Sequence, residues 1–294
     1  MIFGAMTPFH SGEMAVQRRM GQSEIAARTG RMIRSEIPPV AADFLAAQSE
    51  MVLAAADAAG RLWAGAVTGR PGFAHAIDAR TIDIAALPAM GDPLREALSR
   101  STRIGLLALQ PQRRRRMRVN GMVDPMADGL RITTEQVFSN CPKYISRREI
   151  ESRPPSGTPS RPLLGTELDA EQRARIAAAD TFFIATADRD GNADASHRGG
   201  NPGFLQALSS TRLRWPDYRG NSLFMTLGNI AVQPRCGLLV RDWATGDTLQ
   251  LTGTAELVSD ADALAVEFTL AEVVEMRGAL GLRWSGPELS PANP

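Results

Sequence analysis

Two stretches of the chain, AAADAAGRLWAGAVTGRPGFAHAIDARTIDI at 54–84 and ATADRDGNADASHRGGNPGFLQALSSTRLRW at 185–215, are one pattern written twice at a fixed offset of 131. Ala54, Ala56, Asp57, Gly60, Ala64, Gly69, Pro71, Gly72, Phe73 and Ala76 recur as Ala185, Ala187, Asp188, Gly191, Ala195, Gly200, Pro202, Gly203, Phe204 and Ala207. Much of the identity falls on glycine, proline and turn-type aspartate, residues that dictate a backbone path, so the same path is used twice. Of the positions where the copies differ, three adjacent ones carry a change of chemistry. Where the first has Gly65-Ala66-Val67, the second has Ser196-His197-Arg198.

Outward from the repeat, 294 residues give room for two domains of about 130–150 residues, and an apolar content of 44% is enough for two cores. The net charge of +1 gives no general reason to expect nucleic acid or a membrane surface as partner. Cys141 and Cys236 fall in different repeats, so a disulfide framework is not expected and a reducing cytoplasm is the simpler reading. No apolar run approaches the roughly 20 residues of a membrane span. The start, MIFGAMTPFHSGEMAVQRR, lacks the basic-then-apolar pattern of a signal peptide.

Short apolar runs ended by glycine, proline or serine predict an antiparallel barrel or sandwich in each half rather than βαβ units. Residues 12–33 predict one or two amphipathic helices, stopped by Pro38-Pro39, with another short helix near 41–48. A helical piece follows each repeat, at 92–101 and about 221–232, and then a strand with the shared pattern Arg-x-Gly-Leu-Leu, at 103–110 and 235–242. Gly121 and Gly253 match at an offset of 132, each inside a strand pattern, where glycine marks a bulge or a close backbone approach. Asp169 with Gln172 predicts the capped start of a helix over 170–179, and Val266, Phe268 and Leu270 predict a last strand. The segment ESRPPSGTPSRPLLG reads as a linker. The expected organisation is therefore an N-terminal helical segment and first barrel over 1–150, a linker over 151–166, and a second barrel over 167–294. The fold class is mainly β with flanking helices, two tandem barrels in one chain.

The chemistry concentrates in DASHRGGNPGF (194–204) and WPDYRGNS (215–222). These supply the donors Ser196, His197, Arg198, Arg219, Asn221 and Ser222 among glycines that let a ligand approach the backbone. Two arginines with hydroxyls and amides suit a phosphate, because a guanidinium donates two parallel charge-assisted hydrogen bonds. The bland alternative is a pair of solvated barrel-rim arginines and a turn at Gly199-Gly200.

These segments, with WAGAVTGRPGF (63–73), FSNCPKYISRR (138–148) and FHSGEMAVQ (9–17), resemble the pyridoxamine 5′-phosphate oxidase-related family of FMN-binding split barrels in a two-barrel arrangement. The resemblance implies FMN at the interface between two barrels, paired within one chain or in a homodimer. It places Ser196, His197, Arg198 and Gly199 along the flavin, and Arg219, Asn221 and Ser222 at its phosphate. Trp215 and Trp284, the latter in a terminal Gly-Leu-Arg-Trp, are weaker candidates for the cofactor site. The family's simple oxidases usually carry Ser-Arg-Lys where this chain has Arg219-Gly-Asn221-Ser222. No set matching a pyridoxine phosphate grip is evident, which argues against the pathway oxidase itself. The deazaflavin F420 or haem are the alternative cofactors that such a scaffold implies.

The run Arg113-Arg114-Arg115-Arg116, with Arg118 and Asn120, has three readings: a solvated hairpin, a nucleic-acid contact, or a turn in which Arg116 and Arg118 reach across the barrel interface toward a shared site. The near-neutral charge and the lack of interleaved aromatics weigh against nucleic acid. With three histidines, at 10, 75 and 197, no histidine-rich metal centre is expected. No side-chain nucleophile is singled out, and none is required by flavin chemistry. The resulting expectation is an FMN-dependent oxidoreductase acting on a small molecule, with a non-catalytic flavin or haem binding protein and an F420-dependent reductase as alternatives. The second barrel should hold the cofactor while the first serves as its partner wall.

Overall fold

The structure, a computed structural model, describes residues 7–154, 161–260 and 263–294. Seven antiparallel strands build the first barrel: β1 (Glu50–Ala56), β2 (Leu62–Thr68), β3 (Ala74–Ala76), β4 (Thr81–Ile84), β5 (Thr102–Gln110), β6 (Arg115–Met126) and β7 (Gly129–Ser139). After β8 (Ile150–Ser152) and β9 (Leu163–Gly165) come β10 (Thr181–Ala187), β11 (Ala193–Gly199), β12 (Gln206–Ala207), β13 (Arg212–Pro216), β14 (Arg235–Arg241), β15 (Thr248–Asp260) and β16 (Ala263–Met276), with β17 (Arg283–Trp284) last. The first sheet runs β2-β1-β5-β6-β7-β4-β3 and the second β11-β10-β14-β15-β16-β13-β12. The two orders correspond strand for strand. These are tandem split β-barrels.

The backbone details repeat as well. Gly72 and Gly203 hold φ of +94° and +93°, a turn conformation that penalises any side chain. The pairing register shifts between Asn120 and Gly121 on β6, and between Thr252 and Gly253 on β15. Both glycines therefore sit at bulges, and a Cβ on either would lie 2.0 Å from a carbonyl oxygen of the neighbouring strand.

Alternation along each strand explains the two-sided burial. Met51, Leu53 and Ala55 of β1 point into the first core, around Trp63, Ile82 and Val119, while Val52 and Ala54 point the other way. On β10, Phe182 and Ile184 enter the second core with Trp215 and Phe268, and Phe183 and Ala185 point outward. The outward residues of the two barrels meet in a third apolar cluster, with Leu62, Leu107 and Leu239. The barrels thus pair within one chain, each serving as the other's wall.

Glycine sets how closely they pair. A Cβ on Gly105 of β5 would lie 2.4 Å from the backbone nitrogen of Ala195, and one on Gly237 of β14 would lie 2.3 Å from the carbonyl oxygen of Leu62. These are the glycines of the two Arg-x-Gly-Leu-Leu segments. Three ion pairs with both side chains under 10% exposed, Arg118–Asp194, Arg148–Asp180 and Arg241–Glu50, all join the two halves.

The helices are α1 (Ser11–Arg19), α2 (Ser23–Gly30), α3 (Pro39–Ala46), α4 (Pro93–Ala97), α5 (Ala170–Ala178) and α6 (Met225–Val232). Asp169 and Gln172 form the expected capping box of α5. The space occupied by the two halves departs from their order in sequence. The N-terminal α1 packs on α6 of the second barrel, with Val16 in the second core and Gly12 against the Gly228 carbonyl. After β16 the chain returns to the junction, where Leu280 packs and β17 pairs with β8. Of the expected linker, 155–160 lie outside the described residues, and Leu163–Gly165 is strand β9, paired with β16. The helix expected from 221 begins at Met225, because Ser222 and Phe224 hold left-handed φ of 63° and 56°.

Candidate functional site

At one edge of the junction β6 and β11 bring their polar residues together. Arg116 and Arg118 share a face of β6, two residues apart, and both reach the second barrel. Arg118 forms its ion pair with Asp194 at the start of β11. Arg116 donates from Nη1 to Nδ1 of His197, at 2.9 Å. A guanidinium has no acceptor, so Nδ1 must be bare, and the neutral ring carries its proton on Nε2. Burial, reinforced by Arg116, Arg198 and Arg148, holds the His197 pKa well below the ordinary histidine value.

Arg198, next on β11, donates from Nη1 to the His197 carbonyl at 3.2 Å. Burial lowers the pKa of Arg116 and of Arg198, and lowers that of Arg118 to about 9 with help from its two cationic neighbours. All three remain cations at neutral pH. Asp217 faces Arg198, though burial raises its pKa. The Nε atoms of Arg116 and Arg198 are buried without a hydrogen-bond partner among the described residues. Arg118 Nε is unpartnered too, and a buried donor left unmet costs about 1–3 kcal/mol.

The opposite wall is α6 and the loop before it. Thr226, in the first turn of α6, donates to Ser196 Oγ at 3.0 Å. The loop is tied down from three sides. Gln17 of α1 donates to the Leu223 carbonyl at 3.0 Å, Ser222 donates to Gln22 at 3.0 Å, and the Tyr144 hydroxyl donates to the Arg219 carbonyl at 2.9 Å. Together these elements enclose a cleft with a free volume of about 100 Å³.

Ser196, His197, Arg198, Gly199, Asn221, Ser222, Arg116 and Arg118 all line this cleft. Three other sequence candidates do not. The Arg219 side chain is exposed, and only its carbonyl contributes. Trp215 is 1% exposed inside the second core, edge-on to Phe182, because β13 alternates Leu213 and Trp215 inward with Arg212 and Arg214 outward. Trp284 packs edge-on against Trp243. The structure adds Asn140, Tyr144, Phe204, Asp217 and Tyr218 to the lining. Period-two spacing on β11 would have marked Asp194 with Ser196, but nothing local flags Asn140 or Tyr144, which arrive from the first half.

The equivalent place on the other side of the junction is closed. A Cβ on Gly65, the counterpart of Ser196, would lie 2.7 Å from Leu94 Cδ1 and 3.0 Å from Gln250 Nε2. Gln250 occupies the position of Arg118 and donates to the Ala64 carbonyl and to Asp92, both at 3.0 Å. Thr248 stands where the other site has Arg116.

Elsewhere, His10 caps α1 and its Nε2 contacts Asn229 at 2.8 Å, while His75 is exposed. Among the described residues no group of three or more histidine, cysteine or acidic side chains could hold a metal, and no helix is long and apolar enough to cross a membrane.

Residues 168–280, which contain β10–β16 and α6, match the family model for pyridoxamine 5′-phosphate oxidase. The match falls on the second barrel. No curated protein matches the chain. Among solved structures the chain is similar to a candidate pyridoxamine 5′-phosphate oxidase from Lactobacillus delbrueckii, at 18% identity and TM-score 0.31, over 37% of this chain and 94% of that one. It is also similar to a FAD-binding protein from Mesorhizobium loti, at 12% identity and TM-score 0.29, over 40% and 97%. A third is an FMN-binding protein from Syntrophomonas wolfei, at 11% identity and TM-score 0.27, over 35% and 83%. The cleft is where the matched barrel's β11 and α6 meet a wall from the preceding barrel.

Proposed function

We propose that the cleft holds flavin mononucleotide and that the chain is an FMN-dependent oxidoreductase acting on a small molecule. The observation that carries this reading is that Arg116 and Arg198 flank neutral His197, with Arg118 lining the same cleft and the Nε of all three buried without a partner among the described residues. A phosphate, or the electron-rich edge of a flavin ring, supplies the acceptors that these donors lack. The donor set fits the cofactor. The free volume of about 100 Å³ is below the 300–1,000 Å³ of ordinary small-molecule sites.

Bound FMN would supply the redox chemistry. The chain's part is binding and electrostatics. Arg116 and Arg198 neutralise an anion, and Arg116 fixes the tautomer of His197 so that its Nε2–H is the remaining donor. Ser196 accepts from Thr226 at 3.0 Å and itself donates to Asp194 Oδ2 at 3.5 Å, which ties the hydroxyl to the junction's buried ion pair. Asn221 and Ser222 line the cleft, the Ser222 hydroxyl being held by Gln22. The first barrel contributes Arg116 and Arg118 from the same chain, so a second copy is not needed to complete the site. Cys141 and Cys236 are both free, which suits a reducing cytoplasm.

The deciding experiment is mass spectrometry of the small molecule released on denaturation, with the visible spectrum of the native protein. FMN and a two-band spectrum that bleaches on reduction are expected. A Soret band or released F420 would reassign the cofactor. A colourless protein that takes up no FMN on titration would refute the reading.

A further inference from the structure

A second and larger hollow adjoins the cleft. It lies between the segment leading into α3 and the hairpin that opens β6, and has a free volume of about 640 Å³, in the range of small-molecule sites. Arg116 and Asn140 line both spaces, so the two adjoin at the side chain that holds His197.

The lining is sharply divided in character. Phe44, Met117 and Phe138 form an apolar floor, and Val40, 67% exposed, stands at the rim. Five arginines (34, 113, 114, 115 and 116) complete the wall, and no acidic residue lines it. Arg114 is engaged with Glu288 and the Ile145 carbonyl. Arg34, Arg113 and Arg115 form no ion pair among the described residues, although Arg115 lies over the Phe44 ring at 5.1 Å. Arg115 over the Phe44 face sets an exposed guanidinium beside the apolar floor.

We propose that this hollow is the substrate site, and that it takes an organic acid: an apolar body against Phe44, Met117 and Phe138, with a carboxylate held by Arg113 and Arg115. Calling the ligand a substrate rests on the flavin reading of the adjoining cleft; its chemical class rests on the hollow alone. The complementarity is specific in sign, since a neutral or cationic analogue with the same body would find the apolar floor but not the anchor.

The test uses the purified full-length protein and 1-anilinonaphthalene-8-sulfonate, whose fluorescence rises in an apolar site. Octanoate, octanol and octylamine are then added as competitors. Octanoate should displace the dye, and octanol should need at least tenfold more. Octylamine should be weaker still. The variant carrying Arg113→Glu and Arg115→Glu, both at exposed positions, should bind octanoate at least tenfold more weakly, with its melting temperature and flavin content unchanged. Equal competition by octanoate and octylamine would overturn the proposal, as would wild-type octanoate binding in the double variant. Displacement of the dye by FMN would also overturn it, because the hollow would then belong to the cofactor. Flavin content is read separately, so a protein that binds octanoate but never flavin refutes only the redox role.

Discussion

Arg116 and His197 belong to different barrels and meet at 2.9 Å, guanidinium Nη1 to imidazole Nδ1. The contact does two things at once. It brings a cation of the first barrel into the site of the second, and it determines which nitrogen of His197 keeps a proton. Loss of Arg116 therefore removes a charge and also frees the ring to change tautomer.

Substituting Arg198→Ala or Arg116→Ala should weaken flavin retention by about 10- to 100-fold, the equivalent of one charged hydrogen bond worth about 1.5–3 kcal/mol. Arg219→Ala, with its side chain exposed, should change it less than threefold. Fluorescence titration of FMN into apo-protein measures all three. Equal losses at Arg198 and Arg219 would move the anion site onto the loop.

Asp194→Asn should destabilise the protein by about 3–5 kcal/mol, because Arg118 is left as an uncompensated charge in a buried junction. Glu267→Gln removes the partner of the exposed Arg212 and should cost less than about 1 kcal/mol. Denaturant midpoints for the two variants make the comparison. Similar losses would mean that the junction is wetter than the structure shows.

Glu13 carries a pH dependence of definite sign. Burial against α6 raises its pKa from 4.5 to about 7. Between those values the folded protein keeps a proton that the unfolded chain has released, so this group's contribution is fully present below pH 4.5 and is lost as pH rises through 7. Glu13→Gln keeps an acceptor for the His10 backbone N–H and cannot ionise. Relative to wild type it should gain up to about 3 kcal/mol at pH 8 compared with pH 4. The difference between the two proteins isolates Glu13 from His197, whose lowered pKa acts oppositely and erodes stability as pH falls below 6.5. A constant difference across the range would refute the assignment.

Val67→Arg should not generate a second flavin site. Gly65 and Ala66 still lack the polar groups of Ser196 and His197, and Leu94 and Gln250 fill the space. One cofactor per chain, by absorbance against amino-acid analysis, is the expected result for wild type and variant alike. Two per variant chain would show that a single cation decides occupancy.

Much of this was legible in the residues. The offset of 131 predicted two barrels of one topology, and Gly121 and Gly253 predicted a bulge or a close backbone approach, and the structure has the bulge. The role of the Arg-x-Gly-Leu-Leu glycines was hidden, because what crowds Gly105 and Gly237 is backbone more than 80 or 170 residues away in sequence. The same limit applies at the site. Arg116 and Arg118 stood out by charge and spacing. Tyr144 and Asn140 reach the cleft only through the docking of one barrel on the other. Trp215 was misleading because an aromatic beside a donor-rich segment draws attention, while the alternation on β13 turns it inward.

Joining both barrels in one polypeptide has a genetic consequence. Were the two walls encoded by one gene used twice, a codon change at either would appear on both sides of the junction. Here Arg116 and Arg118 are encoded separately from Thr248 and Gln250, and His197 separately from Ala66. Selection can therefore tune the wall facing the cleft without touching the residues that close its twin.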